Sequence, residues 1–182
     1  MQIHCSLLSM HGGCVFKVGN RTEKIMKATQ IEIAVARFFD VRQNIIVPNI
    51  SWGLGIHECD LLIVTTSHYA IEVEIKISKA DIVADKKKWH NHYSKKIRSL
   101  MFAIPEELQS CIDLIPVQAG VILIKEYDTN HQLYCHIARK GQINTDARKL
   151  TDKEVLHAAK LGAMRTWKLR ETIQKMRKLY GQ

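Results

Sequence analysis

The stretch YAIEVEIKIS, residues 69–78, limits the fold more than any other part of the chain. In a strand, successive side chains point to opposite faces. Tyr69, Ile71, Val73, Ile75 and Ile77 therefore share one face, which reads as a core face. Ala70, Glu72, Glu74 and Lys76 share the other, which reads as a wet side carrying two carboxylates and an ammonium. Just upstream, CDLLIVTT (59–66) is a continuous apolar run, typical of a buried strand. The short turn between them makes an antiparallel pair.

Other elements follow from caps and periodicity. NRTE (20–23) opens a helix to about Phe39, with Asn20 as cap and Glu23 reaching back. Its inner stripe is Ile25, Ala28, Val35, Ala36 and Phe39, and Glu32 sits in the middle of that stripe. A carboxylate there must pair, or face something that wants negative charge. NIIVPNI (44–50) is a strand whose Pro48 marks an edge or an end. SKAD (78–81) starts a second helix, capped by Ser78 and Asp81, with Ile82, Asp85, Trp89 and Tyr93 along one side. SLMFAIP (99–105) is a buried strand, PEELQSC a short helix, and 117–138 a hairpin turning at YDTN. TDKE (151–154) is a capping box that opens a long basic helix to about Tyr180. The order is helix, three strands, helix, strand, short helix, hairpin, helix. That is an α/β protein with a mixed central sheet flanked by helices.

The 182 residues suit one domain, with an arm over 1–20 and the basic helix, within 146–182, packed on or extending the body at 21–145. No window approaches the ~18 apolar residues of a membrane span. The first residues lack a secretory pattern, so the expectation is a cytoplasmic protein. The five cysteines are widely spaced without a CxxC, which argues against a disulfide framework or structural zinc. The net charge of +9 favours an anionic partner, nucleic acid first.

Asp60 begins the strand before Glu74, and antiparallel pairing can set the two side by side. Two such carboxylates repel unless a cation lies between them. Hard oxygen ligands suit Mg²⁺, with Mn²⁺ the alternative, rather than zinc. Lys76 projects from the same face as Glu74 and can orient a water or offset charge developing on a phosphate. These are the parts needed to hydrolyse a phosphodiester.

Asp60, the EIK of 74–76 and Glu32 on the upstream helix resemble the PD-(D/E)XK nuclease superfamily, the restriction-endonuclease-like fold. Within it, ECDLLIV and IEVEIKISKADIVADKKKW are similar to the MmcB-like DNA repair family, in the run Glu74, Lys76, Ser78, Asp81, Asp85, Lys88, Trp89. The residue before Asp60 is Cys59 where the superfamily name has proline. The resemblance covers roughly residues 21–125 and implies the αβββαβ core of the superfamily, within a nuclease-like domain over 21–145. It implies Asp60, Glu74 and the Ile75 carbonyl as metal ligands, Glu32 beside them directly or through water, and Lys76 as the group that positions the attacking water. Glu72, Ser78, Asp81 and Asp85 are supporting residues. Asp81 suits helix capping, and Asp85 suits a pair with Lys88 one turn on.

Nucleic-acid contacts are expected from Lys86, Lys87, Lys88, Lys95, Lys96 and Arg98, and from Arg165 and Lys168 of the terminal helix, whose net charge over 151–182 is +5. That helix can alternatively pair with a partner helix through Leu156, Trp167 and Met176. The expected function is Mg²⁺-dependent DNA hydrolysis in DNA repair or the processing of phage or mobile-element DNA, with RNA as alternative substrate. A binding protein on the same fold, with little cleavage, and a non-catalytic assembly protein are the rivals. A homodimer is compatible with the sequence.

Overall fold

The computed structural model describes residues 26–50, 53–87, 94–127 and 132–180, with Lys86 and Lys87 described in the backbone alone. The Asn20 cap, the arm, Trp89, Tyr93, Lys88 and most of the YDTN turn lie outside them. In chain order the elements are α1 (Ala28–Phe38), β1 (Ile45–Ile50), β2 (Cys59–Val64), β3 (Ala70–Ile75), α2 (Lys79–Lys87), β4 (Ile97–Pro105), a 3₁₀ helix (Glu106–Leu114), β5 (Gly120–Glu126), β6 (Leu133–Arg139) and α3 (Asp152–Tyr180). The αβββαβ order expected of the core is present.

The six strands lie side by side in chain order. β1, β2 and β3 are antiparallel, and so are β5 and β6. β3, β4 and β5 are parallel, so their connections must cross over, and these carry α2 and the 3₁₀ helix. Pro48 stands on the edge strand β1, where a missing N–H costs least.

Both faces of the sheet are covered. α1 covers one face with Ile31, Ala34 and Val35, against Leu61, Ile63, Val73 and Ile122. Ala28, expected in that stripe, is exposed, while Ala36 and Phe39 are half-buried. The stripe begins a turn later, at the residues that reach the sheet. The other face carries two separate apolar clusters. Over β1 and β2, Val47 and Leu62 meet Ala158 and Leu161 of α3. Over β4 and β5, Phe102, Ile104 and Leu123 meet Ile82 of α2 and Cys111 of the 3₁₀ helix. Each fully buried Leu or Ile contributes about 1.5–3 kcal/mol.

Register fixes what lies between those clusters. Leu62 pairs with Glu72, and Glu72 and Glu74 pair across β4 with Leu100 and Phe102. The polar row of β3 thus runs in the seam between two apolar clusters. It is not the wet side its alternation suggests: Glu72 is 2%, Glu74 7% and Lys76 8% exposed.

The α3 start is a capping box. Thr151 N–H donates to Glu154 Oε2 at 2.8 Å, and Glu154 N–H donates to Thr151 Oγ1 at 3.3 Å. The same carboxylate takes both Arg148 guanidinium ends at 2.8 Å and Lys96 Nζ at 3.0 Å. The Arg148 hydrogen bonds, ahead of those from Thr151 and Lys96, hold its carboxyl well below the usual range. A carboxyl with a depressed folded value stabilises the fold above its unfolded pKa, and that support is lost as pH falls through the folded value. Glu154→Ala is expected to cost about 0.3–1.5 kcal/mol from the capping box and to flatten the acid side of the stability profile, both read by urea titration across pH.

Candidate active site

The site forms where β2 and β3 reach the same end of the sheet. Leu61 pairs with Val73, and one step further the register sets Asp60 against Glu74. There the ladder gives way to a side-chain bond: Ile75 N–H donates to Asp60 Oδ2 at 2.7 Å. β3 ends at Ile75, and Lys76 N–H continues onto Ala103 O at 3.1 Å. The chain then turns, and Ser78 Oγ accepts from Asp81 N–H at 3.1 Å, capping α2 as expected. Asp81 itself is exposed.

Lys76 crosses the seam. Its Nζ donates to Glu74 Oε2 at 2.8 Å and meets Asp85 Oδ1 at 2.8 Å, 5.8 Å from the Phe102 ring centroid. Asp85 is 8% exposed. It pairs with Lys76; the expected pair with Lys88 falls on a residue outside those described. The contact with Lys76 brings α2 into the site. Burial works against the charge on Lys76, but hydrogen bonds to Asp85 and Glu74 outweigh it and raise its pKa.

The surroundings are strongly negative. Burial pushes the Glu74 carboxyl up to about 7; Lys76 opposes the shift, and Asp60 and Glu72 add to it. Glu32, half-buried on α1, is raised by burial and then by the charge of Asp60, which brings the first helix to the site. The Cys59 thiol is driven far up by burial and by Glu72, Glu74, Asp60 and Glu58. It is therefore a neutral packed thiol rather than a ligand or nucleophile. Among the described residues no three His, Cys, Asp or Glu side chains form a metal-binding group. The oxygen set on offer is two carboxylates, Asp60 and Glu74, with the Ile75 carbonyl, and Glu32 at the rim. Hard donors in a field this negative fit a small divalent cation.

The expected basic contacts do not gather here. β3 and β4 are parallel, with Ala70 beside Ile97 and Glu74 beside Phe102, so Lys95, Lys96 and Arg98 lie at the opposite end of the sheet. Lys96 is held by Leu54 O and Glu154. Arg98 donates to Asn144 O at 3.2 Å and stacks 4.8 Å over Tyr69. Arg165 donates to Pro48 O and Asn49 O. Lys95 and Lys168 are exposed. The side chains of Lys86 and Lys87, on the helix that carries Asp85, lie outside the described residues.

The fold and site define an α/β protein with a buried carboxylate–lysine cluster at one end of a mixed sheet. A family model described as DNA repair protein MmcB-like matches residues 18–172, and the chain belongs to the MmcB-like family of DNA repair proteins. A search of curated proteins finds no match. A solved structure of a protein of unknown function from Silicibacter pomeroyi is similar over 87% of this chain and 97% of that one, with a TM-score of 0.57 and 18% identity. That likeness extends to the fold alone. No helix among the described residues is long and apolar enough to cross a membrane.

A carboxyl raised on folding favours the folded state while protonated, so Glu74 supports stability below about 4.5 and loses that support as pH rises through about 7. Without divalent ions, the melting temperature is expected to fall between pH ~5 and ~8 more steeply in the wild type than in Glu74→Gln. Differential scanning calorimetry of the two proteins measures the difference.

Proposed function

We propose that this chain is a metal-dependent nuclease that hydrolyses DNA phosphodiester bonds by attack of an activated water. The observation that carries the reading is Lys76 bridging Glu74 and Asp85 beside Asp60, in a member of a DNA repair family. Asp60, Glu74 and the Ile75 carbonyl would hold Mg²⁺, or Mn²⁺, with Glu32 joining directly or through water. Bound there, the ion supplies a Lewis acid for the phosphate and lowers the pKa of its water.

The protein groups do the rest. Asp60 takes the Ile75 N–H, which ties the end of β3 to β2 and fixes the Ile75 peptide. Lys76 orients the attacking water and offsets charge that develops on the phosphate. Asp85 is a positioning residue that holds the ammonium from α2. The exposed Lys95 and Lys168 are candidates for phosphate contacts, and RNA is the alternative substrate.

One observation favours a second reading, a DNA-binding protein with little cleavage. Both Glu74 and Asp85 lie 2.8 Å from the Lys76 ammonium, so its charge is already compensated.

Plasmid and single-stranded DNA, incubated with Mg²⁺ or Mn²⁺, separate the two. Cleavage that needs the ion and falls by roughly 10²-fold or more in Asp60→Ala and Lys76→Ala supports the nuclease. Salt-sensitive binding without cleavage in the wild type rejects it in favour of the binding protein. Calorimetry checks that each variant folds, since removing Lys76 leaves two buried carboxylates and costs about 3–5 kcal/mol.

A further inference from the structure

α3 buries one stripe and then outruns the sheet. Ala158 and Leu161 pack into the cluster over β1 and β2, and Arg165 closes this contact on the carbonyls of Pro48 and Asn49. Every residue from Thr166 to Tyr180 is exposed. At 1.5 Å per residue this is about 22 Å of helix with no packed neighbour among the described residues.

The buried stripe nevertheless continues. Leu169, Ile173, Met176 and Tyr180 follow at spacings of four, three and four, the d-a-d-a rhythm of a helix that packs against another helix. Met176 lies about five turns beyond Ala158, so the exposed residues extend the face that packs on β1. They are 60%, 41%, 52% and 75% exposed, too apolar a row to be left in water at no cost. Arg170 and Arg177 border the row on one side, and Lys168 and Lys175 on the other, with Thr172 and Leu179 between. Glu171 is the lone acid of 166–180 and points to the far side.

We propose that this distal half of α3 is a docking helix for another protein, and that its partner is an amphipathic helix whose apolar seam is flanked by acidic residues. Charge complementarity selects that partner. A second copy packed antiparallel would set Arg170 and Arg177 against their own counterparts, and a parallel one would face them with Thr172 and Leu179 and no acid. Residues 1–25 carry Lys17, Arg21 and Lys24 against Glu23 and offer no acidic flank. Duplex DNA matches the charge but presents no apolar surface to cover Leu169, Ile173 and Met176. The proposal does not depend on cleavage. α3 starts beside His68 and reaches Pro48 and Asn49 near the Asp60 end, so the docked partner would lie toward the site end of the sheet.

The test uses the full chain and two synthetic three-heptad peptides, identical at a and d with Ile and Leu, one with Glu and one with Lys at e and g. Fluorescence anisotropy is expected to show the wild type binding the Glu peptide and at least roughly tenfold less of the Lys peptide. Leu169→Gln with Ile173→Gln, which keeps the helix by circular dichroism, is expected to weaken Glu-peptide binding by roughly tenfold or more. Reversing Lys168, Arg170, Lys175 and Arg177 to Glu is expected to switch the preference to the Lys peptide. Equal binding of both peptides, or of neither, overturns the proposal. Self-association by sedimentation that is lost in the Leu169→Gln, Ile173→Gln protein overturns it in favour of a second copy. Uptake by phosphatidylserine vesicles without peptide binding overturns it in favour of a lipid surface.

Discussion

The Lys76 ammonium, held between Glu74 and Asp85 in the seam of the sheet, is the interaction on which the site depends. An isolated buried charge would cost several kcal/mol, and here three ionisable groups share one buried place. The trio is arranged by elements that otherwise serve the core. β3 supplies Glu74, the residue just past its end supplies Lys76, and α2 supplies Asp85 one turn after Ile82, which packs on Phe102 and Leu123. The apolar contact of α2 therefore fixes the position of an ionic one. Asp60 joins through the backbone, by way of the Ile75 N–H, and Glu32 through the field of Asp60. Four elements converge, and Lys76 stands in the short connection between two of them, β3 and α2.

Such a cluster is poised rather than satisfied. Glu74 has a hydrogen-bonded cation and still stands high, because burial and the neighbouring acids outweigh that help. Cys59 senses the same field from the adjacent strand. A structural ion pair buried only for stability needs no surplus of carboxylates, and replacing it with apolar groups is often neutral or favourable. What distinguishes this arrangement from a simple buried pair is that Asp60 and Glu72 also act on Glu74, against the help of Lys76.

Much of this was legible in the chain. The period-two pattern of 69–78, the apolar run of 59–66 and the capping residues Ser78 and Thr151 report local backbone preferences, and the elements they mark all form. The side-by-side placement of Asp60 and Glu74 follows from a tight antiparallel turn. The wetness of the polar row was misleading, because alternation tells which residues share a face and not what covers that face. α2 and α3 cover it: α2 follows β3 at once and folds back on the sheet, and α3 arrives from distant sequence. Asp85 left a signal of its own: like Glu32, it is a carboxylate on the apolar side of a helix. Its contact with Lys76 could not be read, since that depends on how α2 crosses the sheet.

Net charge proved a coarser guide than pattern. A surplus of basic residues suggests a polyanion only for those that still face solvent. Lys96, Arg98 and Arg165 instead hold carbonyl groups and Glu154, tying β1, β4 and the start of α3 together. Arg139 does the same between β6 and the end of the 3₁₀ helix, donating to Ala119 O at 3.0 Å and Pro116 O at 2.8 Å. Their charge is spent on carbonyls that secondary structure leaves over. The carboxylates sit at one end of the sheet, while the cations committed to Glu154 and Asn144 sit at the other. Among the described residues, a polyanion approaching the Asp60 end would thus meet the half-buried Asp60 and Glu32, with buried Glu72 and Glu74 behind them. The strands alone do not offset their charge, so any phosphate reaching Asp60 and Glu74 requires positive charge supplied there, by a bound cation, by α2 or by the far half of α3.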